Sequence, residues 1–137
     1  MLDRAVRALA RRDHSAKSLR AKLARAGVSE DAQNDALETL ERGGYVDDAR
    51  FARARAEQLA ARGYGDEWIR ADLDAQGVAA EPAADAITRL EPEAERAQGE
   101  WAKLRGGLAA ARTMARRGFA EETLEALLAR DPSTGVG

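Results

Sequence analysis

Leu19-Arg-Ala-Lys-Leu23-Ala-Arg-Ala-Gly27-Val28 returns fifty residues later as Ile69-Arg-Ala-Asp-Leu73-Asp-Ala-Gln-Gly77-Val78. Each copy sets an apolar pair at i and i+4, a glycine four residues on, and a valine after it. That is one helical stripe closed by a residue able to adopt a left-handed conformation. A weaker third copy, Ala110-Ala-Arg-Thr-Met114-Ala-Arg-Arg-Gly118-Phe119, keeps the glycine and its apolar follower. Repetition at this period implies an array of small helical units stacked on one another, not one central core.

Working outward, the first unit reads as three helices. Leu2, Ala5, Val6 and Leu9 form one stripe; Ser15 caps a second helix with Ala16, Leu19, Leu23 and Ala26 facing in. Ser29 caps a third helix with Glu30 and Asp31 in its first turn, Ala32, Ala36, Leu37 and Leu40 face inward, and Gly43-Gly44 stops it. Asp47 is the expected N-cap of a long helix to about Arg62, and Gly63-Tyr64-Gly65 turns into a helix carrying Trp68, Ile69 and Leu73. Pro82 fits the first position of the next helix. Glu91-Pro92-Glu93 opens the third unit, which breaks at Gly106-Gly107, turns at Gly118 and closes on Leu124, Leu127 and Leu128. No segment alternates in the manner of a strand. The expected fold is all-α, an elongated array of three tandem three-helix repeats over residues 1–44, 45–91 and 92–131, with 132–137 a frayed tail.

Composition narrows the function. The 137 residues hold no cysteine, which excludes disulfides and thiolate chemistry and fits a reducing compartment. No apolar run approaches the roughly 20 residues that span a bilayer, and the N-terminus reads as an amphipathic helix, not a signal peptide. A cytoplasmic, monomeric protein without membrane contact is expected. The net charge of −2 conceals a strong pattern. Residues 1–27 carry eight basic and two acidic side chains, and 28–48 carry one and seven. The basic and acidic counts are four and one over 49–65, two and nine over 66–95, six and one over 96–118, and one and four over 119–137. Each unit opens basic and closes acidic, so a stacked array could line its cations along one face.

The candidate catalytic groups dissolve on inspection. His14, the only histidine, sits between Asp13 and Ser15 with no nucleophile nearby in sequence, and reads as a turn residue. Asp47-Asp48 reads as an N-cap followed by a first-turn acid, not a metal pair. Gly43-Gly44 and Gly106-Gly107 lack the strand and spacing of a phosphate loop. Tyr45, Phe51, Trp68, Trp101 and Phe119 fall at repeat junctions and read as core plugs, not base-stacking platforms. Arg55 lies one turn from both Phe51 and Leu59 on an apolar stripe; its bland explanation is a snorkelling stem or an ion pair with the neighbouring unit's acidic helix. No catalytic residue, metal site or cofactor is expected. The candidate partner-binding residues are the cations recurring in all three units: Arg11, Arg12, Lys17, Arg20 and Lys22, then Arg50 and Arg53, then Arg112, Arg116 and Arg117. No helix carries a defensible set of base-reading side chains, so sequence-specific DNA reading is not expected.

Arg12-Asp-His-Ser15, Leu19-x-x-Lys22-Leu23-x-x-x-Gly27, Leu40-x-x-Gly43-Gly-Tyr45-x-Asp47-Asp48-x-Arg50-Phe51-Ala52 and Gly63-x-Gly65-x-x-x-Ile69-x-x-x-Leu73-x-x-x-Gly77-Val78, in this order, resemble the RecX family of bacterial recombinase regulators. The likeness covers the first two units, and Arg117-Gly-Phe119 extends it to the third. It implies three tandem three-helix units that bind along the groove of the RecA filament on single-stranded DNA. The implied effect is restraint of filament growth, ATP hydrolysis and strand exchange, with consequences for recombination, DNA repair and the SOS response. The family supplies no catalytic residues. The chain departs from it in short length, a weak third repeat and Arg55. A second expectation, from a different class, is a non-specific single-stranded DNA-binding module that competes with RecA for DNA.

Overall fold

The structure, a computed structural model, describes Arg4 and residues 14–132. The helix expected over the first dozen residues lies outside the described residues, apart from helical backbone at Arg4. From there on all regular structure is helical: α1 (Ala16–Arg25), α2 (Glu30–Arg42), α3 (Asp48–Ala61), α4 (Asp66–Ala75), α5 (Ala80–Thr88), α6 (Glu93–Lys103), α7 (Gly107–Arg116) and α8 (Glu121–Arg130).

Local chemistry sets the starts of the first three. The Ser15 hydroxyl accepts from the Ser18 N–H at 3.1 Å, that of Ser29 from Ala32 at 3.2 Å, and the Asp47 carboxylate from Arg50 at 3.1 Å. Each satisfies a helix N–H that has no partner within the helix, a contribution of about 1 kcal/mol. Pro82 is not the first residue of its helix, as expected from sequence, but the third, because α5 begins at Ala80. The first-turn N–H groups lack helical acceptors anyway, so proline is accommodated there too.

The second helix of every unit closes the same way. Gly27, Gly77 and Gly118 have φ of 85°, 84° and 87°. The N–H of the next residue reaches back to the carbonyl five positions earlier, Val28 to Leu23 and Val78 to Leu73 at 3.0 Å and Phe119 to Met114 at 3.1 Å. The apolar side chain after each glycine thereby folds back onto its own helix.

Three separate cores result. Leu19, Leu23, Leu37, Leu40 and Val46 form the first, between α1 and α2. The second is the largest among the described residues: Ala52, Ala56 and Leu59 of α3 meet Ile69 and Leu73 of α4 and Ala83, Ala86 and Ile87 of α5. The small side chains at Ala52 and Ala56 are both fully buried and permit close packing of α3 on its neighbours. Ala97, Met114, Phe119 and Leu124 form the third, among α6, α7 and α8. Two residues behave otherwise than their sequence suggests. Tyr45 is not a core plug: it remains 38% exposed with its ring lying over Gly43. Gln33 is buried on the inward face of α2, where its amide donates to the Val28 carbonyl at 2.8 Å.

Between units the contacts are few, and those of the second helices follow one rule. The start of a second helix abuts the end of the second helix in the following unit. Ser15 donates its hydroxyl to the Gln76 carbonyl at 2.8 Å, and Lys17 Nζ donates to Ala75 at 3.2 Å. Gly65 donates its N–H to Arg117 at 2.7 Å, and Glu67 to Gly118 at 3.3 Å. Asp48 adds a bond from the Ala16 N–H at 2.9 Å, and Arg96 spans the second seam to Asp66 at 2.8 Å and to the Tyr64 carbonyl at 3.1 Å. The helices α7, α4 and α1 therefore form a row in which each C-terminus meets the next N-terminus.

Candidate partner-binding surface

The row sets the electrostatics of the molecule. Helix α1 carries Lys17, Arg20, Lys22 and Arg25 and no acid. Helix α4 carries Asp66, Glu67, Asp72 and Asp74 against the lone Arg70. Helix α7 carries Arg112 and Arg116 and no acid. Two cationic helices thus flank an anionic one, and carbonyl-rich ends meet N–H-rich ends at both seams, an alignment of helix dipoles that favours the stacking.

The candidate cations divide by what holds them. Arg11 and Arg12 lie outside the described residues. Lys17 serves the first seam, its stem packed so closely over Gly77 that a Cβ there would stand 2.5 Å from the lysine Cβ. Arg20 donates to the Asn34 amide oxygen at 2.7 Å, and Lys22 to His14 Nε2 at 3.1 Å. The other ring nitrogen, Nδ1, faces the Ser18 hydroxyl at 3.3 Å. His14 is accordingly a link between Lys22 and Ser18. Arg50 donates to the carbonyls of Gly44 and Tyr45 at 3.2 and 3.4 Å, closing the turn after α2. Arg116 donates to the Thr113 hydroxyl at 3.3 Å. Among these cations only Arg117 faces a described carboxylate, Glu100 at 3.4 Å. Arg53 and Arg112 make no hydrogen bond or ion pair with any described residue.

Most of this cationic charge is therefore held by neutral acceptors, which orient a guanidinium or ammonium without cancelling its field. Acidic partners and phosphate oxygens could still be drawn to it. The cations repeat only in part: counted back from the terminal glycines, Arg20 matches Arg70 and Arg25 matches Arg116, but Lys22 stands where α4 has Asp72 and α7 has Thr113. The surface is thus not one motif copied three times.

Arg55 has a structural partner. Its Nε and Nη2 meet the two carboxylate oxygens of Asp72 at 2.7 and 2.9 Å. The ion pair foreseen with a neighbouring unit is present, but within the unit, clamping α3 to α4. The hydrogen bond to Asp72 raises the guanidinium pKa; burial opposes it, and the Asp72 charge adds a smaller upward push. The sequence reading missed Asp48, Arg96 and Asp131, which all act across distances of thirty or so residues; only the charge at a helix start hinted at the first. Asp131 accepts from the Trp101 indole N–H at 2.8 Å and the Gly107 N–H at 2.9 Å. Among the described residues no group of three or more His, Cys, Asp or Glu is placed to hold a metal ion, and no helix is long and apolar enough to cross a membrane.

Two family models match the chain. "RecX, first three-helix domain" covers residues 2–40 and "RecX, second three-helix domain" covers 47–87. The Regulatory protein RecX of Xanthomonas axonopodis pv. citri (strain 306) is 36% identical over 121 residues, spanning 88% of this chain and 67% of that protein. Its counterpart in Stenotrophomonas maltophilia (strain K279a) is 31% identical over 141 residues, spanning 96% of this chain and 86% of that protein. In fold the chain is similar to a crystal structure of regulatory protein RecX, with TM-score 0.72 and 20% identity over 83% of this chain and 64% of that one. It is also similar to RecX from Lactobacillus salivarius, with TM-score 0.70 and 15% identity over 85% and 84% of the two chains.

Proposed function

The chain belongs to the RecX family, and from that premise we propose that it is a non-enzymatic regulator of the RecA recombinase. In this reading it binds the RecA filament on single-stranded DNA and restrains ATP hydrolysis, filament extension and strand exchange. The observation that carries it, beyond family membership, is the row of second helices alternating cationic, anionic and cationic. Such a row of alternating charge suits a long partner with its own repeating charge better than it suits a small molecule. Arg53 and Arg112, free of internal partners, and Arg20, Lys22, Arg50 and Arg116, held by neutral ones, are the proposed contacts among the described residues; Arg11 and Arg12 join them from the sequence. Cytoplasmic location and a monomeric state accompany the proposal.

The unneutralised cations also favour a second reading, a module that coats single-stranded DNA and excludes RecA from it. The two part company in one experiment: ATP hydrolysis by the cognate RecA on single-stranded DNA, titrated with this protein, beside its binding to the bare DNA. Inhibition at sub-stoichiometric amounts with feeble DNA binding is the expected result. Inhibition only once the DNA is saturated, with binding that falls steeply in salt, would transfer the function to the DNA.

A further inference from the structure

Among the described residues the seam rule leaves two ends of the row without a neighbouring unit, and the two are built differently. At one end is Gly27, closing α1. Its counterparts Gly77 and Gly118 are each covered by the start of another second helix, through Lys17 and Trp68 respectively. No described residue stands within 4 Å of a Cβ built at Gly27. At the other end is the start of α7, and there a side chain of the same unit intervenes. Counted back from the terminal glycines, the seam donor Gly65 corresponds to Gly106, which the Asp131 carboxylate covers, and the next residue, Asp66, corresponds to Gly107. The Gly65 N–H goes to the carbonyl of Arg117 in the following unit. That of Gly107 goes to the carboxylate of Asp131, whose same oxygen is pinned by the Trp101 indole. A carboxylate from the C-cap of α8, in the same unit, thus sits where the rule would seat the carbonyl end of another unit. Beside it Leu108, 57% exposed, is one of two large apolar side chains the described surface leaves open.

We infer that Asp131 is an end stop: it occupies the α7 start and so prevents the Gly27 end of a second copy of this chain from docking there and extending the row. The occupant is identified by the molecule itself. The Gly27 end shares its backbone conformation with the two ends that already dock within the chain, and the carbonyls of Arg25 and Ala26 correspond to the seam acceptors at Ala75 and Gln76 and at Arg117. The contact would be head-to-tail, so its repetition gives open chains, not a closed dimer. Nothing in it depends on the RecA proposal.

Sedimentation of the full chain over a wide concentration range tests it, with helical circular dichroism and Trp fluorescence as checks on fold and on the freed indole. Asp131→Ala should associate with rising concentration into dimers and longer species while keeping its helicity. Asp131→Asn, which retains an acceptor oxygen for Gly107 and Trp101, should sediment as the wild type does. Adding Gly27→Asn to Asp131→Ala should abolish the association, because asparagine tolerates the left-handed backbone but puts a side chain in the docking space. The inference is overturned if helical Asp131→Ala sediments as the wild type at every concentration. Association that survives Gly27→Asn overturns it as well, since another surface would then be responsible. Loss of helicity in Asp131→Ala would show Asp131 to be a prop of the third unit and not a stop.

Discussion

Gly65 and Gly118 meet backbone to backbone: a Cβ on Gly65 would lie 2.5 Å from the Gly118 carbonyl oxygen, and one on Gly118 would collide with the backbone of Trp68. This contact draws the second and third units together, and the Tyr64–Trp68 stack beside it, with ring centroids 3.9 Å apart, sits in the same seam.

Gly118→Ala should therefore destabilise the protein by about 2 kcal/mol or more, from a side chain forced to positive φ and from the opened seam. Gly99→Ala is the matched contrast. That glycine lies inside α6 with open space around it, so alanine should add about 0.5–1 kcal/mol. Thermal and urea unfolding of the two variants should shift in opposite directions.

Breaking the α3–α4 clamp should cost about 1–3 kcal/mol in either Arg55→Ala or Asp72→Ala, and a double-mutant cycle should show the two effects to be strongly non-additive. Because the folded guanidinium has a raised pKa, its contribution is fully present below the pKa of a free guanidinium and is lost only as pH rises through the still higher folded value. Urea midpoints should consequently show no loss traceable to Arg55 between neutral and moderately alkaline pH.

Arg105 holds φ of 66° at the position where the second unit has Gly63, and its N–H closes the same reverse turn on Ala102 at 3.1 Å. Arg105→Gly should relieve that backbone and raise stability by up to about 1 kcal/mol, measured as an upward shift in the thermal midpoint.

Reversing Arg53 and Arg112 together to glutamate should weaken association with the RecA filament by about tenfold or more, corresponding to ~1.4 kcal/mol, while leaving the unfolding midpoint nearly unchanged. Arg117→Glu, which sets a second acid against Glu100, should instead lower stability. Filament inhibition undiminished by the double reversal would remove these two cations from the proposed surface.

How much of this was legible in the sequence depended on reach along the chain. Ser15, Ser29 and Asp47 were recognisable as caps because a cap is settled within three residues, and Gly27 and Gly77 as helix terminators because the following valine completes a local motif. The other half of what Ser15 does, its bond to Gln76 sixty-one residues away, has no local signature. Asp48 shows the same division, a first-turn acid of its own helix that also receives the N–H of Ala16. The cations were found as a class because charge is written in the sequence. Which were engaged and which free was not, since Arg53 and Lys17 differ only in what the stacking of units brings to them.

The end-to-end row of α7, α4 and α1 gives the molecule a sense of direction. An array of helices lying crosswise could be turned around and present much the same face. Here one end of the row closes on carbonyls beside Arg25 that accept no hydrogen bond from the described residues, while the other is an amide end already sealed by a carboxylate. Any track that itself has a forward and a backward would meet two different objects according to which way this chain was laid upon it.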